Sequence, residues 1–109
     1  MHELGITLQI VESVTSQNRG AKITRISVEI GKLSGVMADA VRFCFDACAS
    51  GTLAEGATLD IIEVPGRARC LECQKEILLD EPYGRCSCGN SLLQWISGRE
   101  LKLKEMEVV

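Results

Sequence analysis

The sequence is poor in aromatic residues, in basic excess and in long apolar runs. Phe, Trp and Tyr make up 4% of the 109 residues, which leaves little material for the stacking platforms of single-strand nucleic-acid binders. The net charge of −3 lacks the basic surplus that phosphate binding demands. No apolar run approaches the roughly 18 residues needed to cross a bilayer, and no secretory leader opens the chain. We therefore expect a cytoplasmic protein with neither a nucleic-acid partner nor a membrane partner.

Histidine is almost absent as well, because His2 is the only one. Away from the amino terminus no imidazole can serve a cysteine nucleophile or an acid-base pair, so we expect that the protein is not an enzyme.

The remaining composition, 46% hydrophobic and 25% charged residues, is typical of a folded globular chain. A length of 109 residues suits one compact unit, or one unit that carries a small insertion.

Hydrophobic periodicity predicts two helices and three strands. The predicted elements are a helix over 4–17, a strand over 24–30, a helix that begins at 37 and is ended by Ser50-Gly51, a strand over 58–64 and a strand over 101–108. The first helix should end near Asn18-Arg19-Gly20, where asparagine and glycine favour the left-handed conformation. Its broad apolar face is formed by two rows, Leu4, Leu8 and Val11 beside Ile6, Ile10 and Val14. The last strand changes phase at Lys104-Glu105, which predicts a β-bulge.

Two helices are enough to cover one face of three strands, so the predicted fold class is α+β. We expect a two-layer sandwich of a three-stranded sheet and two helices. Residues 66–94 separate the strand over 58–64 from the strand over 101–108, which we expect to be its neighbour in the sheet. We therefore predict a discontinuous α+β domain of residues 1–65 and 95–109, with residues 66–94 as an inserted module.

The insertion contains four cysteines in two close pairs, in the segment CLECQKEILLDEPYGRCSCG. Cys70 and Cys73 have ordinary knuckle spacing, whereas Cys86 and Cys88 are one residue closer. Thiols stay reduced in the cytosol, and four thiolates in two turns can enclose a tetrahedral ion. Spacing and ligand type favour structural zinc, and thus a zinc-ribbon-like module, over a redox dithiol, an iron-sulfur centre or unliganded thiols. Whether the shorter pair reaches the same ion is left open by the spacing.

The two remaining cysteines and the single tryptophan are predicted to be packing residues. Cys44 and Cys48 share one face of the second helix with Val41 and Phe45, and free cysteine behaves as a small hydrophobe. Trp95 is expected to pack where the module meets the sandwich.

The amino terminus, MHE, offers a second set of metal ligands. The amine of Met1, the amide nitrogen of His2 and the His2 imidazole can close adjoining chelate rings in one plane. The Glu3 amide or carboxylate could supply a fourth donor, and such a square-planar site suits Ni(II) or Cu(II) better than zinc. An exposed terminal histidine without a role is the alternative that the tripeptide alone leaves open.

The whole chain resembles the HypA/HybF family of hydrogenase nickel-incorporation proteins. The resemblance rests on the order of the MHE start, the strand that ends VEIGKLSGV, the helix segment AVRFCFDACASGTLAEGA, the four-cysteine insertion and the final alternating strand. It differs at the second cysteine pair, where the family usually has C-P-x-C. It also differs early in the second helix, where Met37 stands at an acidic position of some members and Asp39 is displaced from it.

The resemblance implies a nickel metallochaperone whose α+β domain binds Ni(II) at Met1, His2 and Glu3. Structural Zn(II) would be held by Cys70 and the other three clustered cysteines. The implied partners are the GTPase HypB and the large subunit of [NiFe]-hydrogenase, and in some organisms the urease accessory proteins.

A zinc-stapled adaptor for protein or RNA, without a nickel function, is the alternative hypothesis. Its support is the group of basic residues Arg67, Arg69 and Arg85. Nearby acidic residues balance these charges, namely Glu72, Glu76, Asp80 and Glu81.

Overall fold

The computed structural model describes residues 2–17, 20–80 and 84–109. The elements are α1 (His2–Gln17), β1 (Ile23–Gly31), α2 (Ala38–Ala49), β2 (Thr58–Val64), β3 (Gly66–Cys70), β4 (Glu76–Leu79), β5 (Leu93–Ser97) and β6 (Leu101–Val108). Within these ranges no helix is long and apolar enough to span a membrane. The two helices and the first, second and last of the strands lie where periodicity predicts them.

The first sheet has the order β2-β1-β6, and both helices pack on it. β1 is the central strand, parallel to β2 and antiparallel to β6. The expectation that β2 and β6 are neighbours is therefore wrong, because β1 lies between them. The α+β sandwich itself is confirmed. Its core is mainly aliphatic. β1 supplies the largest share of the fully buried side chains, with Ile23, Ile26 and Val28, and the helices add Val14 and Val41.

The buried side of α1 is rotated from the face that its leucines suggest. Val11 and Val14 are buried, but Leu4 and Leu8 are 39% and 49% exposed. Thr7 takes the buried position one turn before Val11, where its Oγ1 donates a hydrogen bond to the Glu3 carbonyl at 2.6 Å. Because the hydroxyl is satisfied within the helix, a polar residue occupies the core at little cost. α1 ends at Gln17, Gly20 has a φ of 92°, and the predicted stop at residues 18–19 lies outside the described part of the chain.

The buried face of α2 agrees with its sequence pattern. Val41, Cys44 and Phe45 are buried, and Cys48 packs against the same core. Both cysteines are therefore packing residues of the sandwich, as predicted.

The predicted bulge in β6 is present. Leu103 pairs with Val28, and Glu105 pairs with Ser27, so the extra residue is Lys104. The bulge lets Leu103 and Met106 both pack against the core although they are three positions apart.

The insertion forms a second sheet, with the antiparallel order β4-β3-β5. Sequence periodicity does not indicate these strands, which are only four or five residues long. The predicted boundary between residues 94 and 95 falls within β5. Trp95 packs beside a small cluster of Leu33, Ala68 and Leu79, to which Leu33 comes from the loop after β1. Trp95 therefore lies where the module meets the sandwich, as predicted.

Backbone hydrogen bonds join the end of β1 to both connections that lead into the module. They are Gly31 N to Glu100 O at 2.7 Å, Lys32 N to Val64 O at 2.9 Å and Leu33 N to Gly98 O at 2.7 Å. The strands approach so closely that a Cβ on Gly31 would lie 2.0 Å from the Gly98 oxygen. Gly98 itself has a φ of 113°, which favours glycine. The junction thus depends on backbone contacts that leave no room for a side chain.

We predict that Gly31→Ala destabilises the protein by about 2 kcal/mol or more, because the added methyl overlaps backbone atoms that cannot rotate away. Urea unfolding followed by circular dichroism measures the change. The matched control is Gly5→Ala in α1, where an added Cβ meets nothing within 4 Å. That variant should gain about 1 kcal/mol from helix propensity. Equal stability of Gly31→Ala and wild type would contradict the close approach.

Candidate metal centre

The first cysteine pair lies on a turn that directly follows β3. The Gln74 N–H donates to the Cys70 carbonyl at 3.0 Å, and the Cys70 N–H donates to the Lys75 carbonyl at 2.9 Å. Gln74 has a φ of 64° and is the one non-glycine residue with positive φ in the described ranges. This left-handed residue turns the chain back into β4 directly after Cys73.

The second cysteine pair repeats that turn with one residue fewer. The Gly89 N–H donates to the Cys86 carbonyl at 2.8 Å, and the Cys86 N–H donates to the Asn90 carbonyl at 3.0 Å. Gly89 has a φ of 94° and follows Cys88 as Gln74 follows Cys73. The missing residue is removed between the two cysteines, so the closing part of the turn is unchanged. The shorter spacing is thus compatible with a regular knuckle.

The two turns bring the four sulfurs together. All four Sγ atoms lie within 4.8 Å of one another. Cys70 Sγ lies 3.6 Å from Cys88 Sγ, and Cys73 Sγ lies 3.5 Å from Cys86 Sγ. A tetrahedral ion with metal-sulfur bonds of 2.3 Å requires sulfur separations of about 3.8 Å. The cluster therefore fits a single tetrahedral ion, and both members of the shorter pair reach it.

Burial follows the same order in both turns. Cys70 and Cys86, the first members, are buried, whereas Cys73 and Cys88 are exposed. An ion at the centre would therefore be held against the module on one side and covered by two surface thiolates on the other. Four protein sulfurs complete a tetrahedral shell, so the site leaves no position for a substrate.

Asn90 contacts the cysteine cluster and is not indicated by the sequence motif. Its side-chain amide donates to Cys70 Sγ at 3.4 Å and to the Leu92 carbonyl at 3.1 Å, and its Oδ1 accepts from the Leu92 N–H at 3.2 Å. Asn90 therefore connects the second turn to a sulfur of the first. A polar residue directly after the Cys-x-Cys-Gly turn was the available signal.

Hydrogen bonds to the sulfurs separate the pKa values of the four thiols. The N–H of Cys73 and the Asn90 amide lower the pKa of Cys70 to about 6. The backbone N–H of Cys88 lowers the pKa of Cys86. An N–H at Asn90 lowers the pKa of Cys88, but the adjacent Cys70 and Cys86 sulfurs outweigh it and raise that pKa to about 12. Four neighbouring thiolates repel one another, so a cation is needed to stabilise the fully deprotonated set.

Of the predicted nickel ligands, Glu3 and the backbone of His2 lie at the start of α1. Met1 and the His2 side chain are outside the described part of the chain, whereas the His2 backbone begins the helix. The Glu3 carboxylate accepts a hydrogen bond from the Met37 N–H at 3.3 Å, directly before α2. Asp39 forms an ion pair with Arg42 at 2.5 Å. The structure thus brings Glu3 to the start of α2, while the set of Met1, His2 and Glu3 remains a prediction.

We predict that chelation of the bound metal unfolds the module and leaves the sandwich folded. The module's apolar cluster is small, so metal coordination must supply much of its stability. Fluorescence reports the module because Trp95 is the only tryptophan, and circular dichroism reports α1 and α2. Cys70→Ser should reproduce the effect of the chelator, whereas Cys48→Ser, outside the cluster, should retain a full metal complement. Unchanged Trp95 emission after complete metal removal would contradict this prediction.

Comparison with known proteins agrees with the fold. Residues 1–108 match the family model described as "Hydrogenase/urease nickel incorporation, metallochaperone, hypA". The hydrogenase maturation factor HypA of Nostoc punctiforme is 56% identical over 108 residues, which cover 99% of this chain and 96% of that protein. HypA of Geobacter metallireducens is 44% identical over 109 residues, with 99% of each chain covered. The solution structure of the Ni metallochaperone HypA from Helicobacter pylori has the same fold, with a TM-score of 0.65, 23% identity and coverage of 98% and 97%. The chain belongs to the HypA family of nickel-incorporation metallochaperones.

Proposed function

We propose that this protein binds Ni(II) at Met1, His2 and Glu3 and delivers it during the maturation of [NiFe]-hydrogenase. The observation that carries the proposal is the family match, which begins at residue 1 and so includes the MHE tripeptide. The role is that of a carrier rather than a catalyst. Nickel is its cargo, and release of the ion is part of the function.

The helical start of the chain supports the chelate. The first N–H groups of a helix have no carbonyl four residues earlier to bond, so helix formation does not consume the His2 amide. The terminal amine has a pKa near 8 and imidazole one near 6.5, so both can give up a proton to a metal around neutral pH. An amine, an amide and an imidazole in one plane form the donor set that suits square-planar Ni(II).

The contact of Glu3 with Met37 favours the Glu3 amide over its carboxylate as the fourth nickel donor. The carboxylate oxygen accepts the Met37 N–H, and α2 has no side-chain cap of its own. A negative charge at this position also stabilises the amino end of α2. Glu3 would then hold the first turn of α1 against α2 through its side chain and offer nickel its backbone.

We further propose that the four-cysteine cluster holds structural Zn(II). Cys70, Cys73, Cys86 and Cys88 form a soft, tetrahedral and closed donor set, which is typical of structural zinc. Such a site stabilises the module and supplies no catalytic chemistry. The nitrogen ligands of the nickel site can be displaced by protons, so that site can release its ion. The closed cysteine cluster would instead retain its zinc.

The delivery role requires partners. We propose the GTPase HypB and the hydrogenase large subunit, and the urease accessory proteins where urease is present, all in the cytoplasm. Cu(II) binds such nitrogen donors more tightly than Ni(II), so the donor set cannot select nickel. Contacts with partners and the supply of metal must provide that selectivity.

We expect that His2→Ala abolishes saturable nickel binding and leaves zinc content and fold intact. Calorimetric titration of the untagged protein with Ni(II), beside metal analysis for zinc, measures both. The nickel chelate loses its imidazole in this variant, whereas the cysteine cluster lies in the module and keeps all of its ligands. Wild-type nickel affinity in His2→Ala would refute the site.

Two further variants separate the chelate from simpler sites. A Gly-Ser extension before Met1 keeps an amine and the imidazole but moves the amine out of the ring, so nickel binding should be lost. Glu3→Gln keeps the backbone donor and an oxygen that can accept the Met37 N–H, so nickel binding should persist while α2 loses only the negative charge at its amino end, worth about 0.5 kcal/mol. Loss of nickel binding in Glu3→Gln would instead assign the carboxylate as a ligand.

A further inference from the structure

β6 is an edge strand whose outer side is open in the part of the chain that the structure describes. It pairs with β1 on one side, and no described strand pairs with the other. Leu101 and Val108, at its two ends, are 43% and 47% exposed although they stand opposite the core residues Ile30 and Ile23 of β1. An open edge with exposed apolar residues is a site for strand pairing.

The sequence of β6, LKLKEMEV, is complementary to itself in the antiparallel direction. When two copies are placed about a two-fold axis between residues 104 and 105, apolar residues meet apolar residues and lysines meet glutamates. The facing pairs are Leu101 with Val108, Lys102 with Glu107, Leu103 with Met106 and Lys104 with Glu105, each formed twice.

The bulge makes this register compatible with the two faces of the sheet. Leu103 and Met106 stand opposite Val28 and Ile26, so both lie on the core face. In a strand without the bulge, residues three apart would lie on opposite faces, and the symmetric register would join a core residue to a solvent residue. The bulge at Lys104 removes that conflict. With it, core-facing and solvent-facing residues follow the same order from either end of the strand.

The open face of the sheet would gain a continuous row of alternating charges. In one copy Glu29 stands opposite Lys102, and their side chains lie 3.4 Å apart. Arg25 stands opposite Glu107, at 3.7 Å. Pairing of Lys102 with Glu107 of a second copy joins these two ion pairs into the order Glu29, Lys102, Glu107, Arg25 across four strands. Lysines on edge strands commonly prevent pairing, but here each would face a carboxylate.

An apolar groove runs beside the same edge on the core face. It has a volume of about 190 Å³ and is lined by Ile6 and Ile10 of α1 and by Leu101 and Leu103 of β6. In the symmetric register, Met106 and Val108 of a second copy would lie next to the two leucines, on the side of this groove.

We infer that β6 is a self-association surface, whose partner is the β6 strand of a second copy of this chain. The two three-stranded sheets would join into one sheet of the order β2-β1-β6-β6-β1-β2. Self-association through β6 is independent of the nickel site, because none of the pairing residues lies in the amino-terminal tripeptide.

Charge reversal at the two-fold centre tests this assignment in the zinc-loaded protein. Lys104→Glu places four carboxylates at the centre, and Glu105→Lys places four ammonium groups there. Each variant alone should raise the dimer Kd about tenfold or more, since two attractive cross-strand pairs become repulsive. An equimolar mixture should restore the dimer, because every facing pair is then again one lysine and one glutamate. Sedimentation over micromolar to millimolar concentrations gives the mass relative to the 11.9 kDa chain.

Two variants with the same charge changes elsewhere are the controls. Lys32→Glu, in the loop after β1, and Glu63→Lys, on the opposite edge strand β2, should dimerise like wild type. A wild-type protein that stays monomeric throughout would overturn the inference and leave the edge to an extended segment of another protein. Single variants that dimerise normally, or a mixture that stays monomeric, would also overturn it. Nickel titration of Lys104→Glu should match wild type, so failure of this inference is distinct from failure of the nickel proposal.

Discussion

The sandwich and the module both depend on the hydrogen bonds that β1 makes along its whole length. Along the strand it bonds β2 and β6, and where the strand ends, Gly31, Lys32 and Leu33 bond the two connections of the module. The same stretch of chain then inserts Leu33 into the module's apolar cluster and reaches Met37, which bonds Glu3. The first sheet, the module and the first turn of α1 are thus positioned by one continuous segment.

The module shows how a metal site replaces a core. Only Leu33, Ala68 and Leu79 are buried in its apolar cluster, and the first of these belongs to the sandwich. The apolar area available is too small to offset the ordering of some thirty residues. Two turns closed by the left-handed residues Gln74 and Gly89 therefore present four thiols to one centre, and coordination there substitutes for burial.

The sandwich could be predicted from the sequence because its strands and helices carry strong periodic patterns, and the cysteine cluster because its spacing is specific. The second sheet could not, since the inward positions of β3 are Gly66, Ala68 and Cys70, which are too small to give a hydrophobic signal. The burial of Thr7 could not be predicted, because it depends on a hydrogen bond from its hydroxyl to the Glu3 carbonyl that the composition does not reveal. The central position of β1 depends on contacts distant in sequence, which periodicity does not encode.

The bulge in β6 reconciles two demands on one short strand. Folding requires Leu103 and Met106 on the core face of the sheet, but residues three positions apart in a regular strand lie on opposite faces. The extra residue at Lys104 meets this requirement within the chain, because it shifts the alternation of side chains between the two faces while pairing with β1 continues on both sides of it. The same shift makes the face pattern of the strand symmetric about its centre. A device that the monomer needs for its own core therefore also creates the condition for two edges to pair in register.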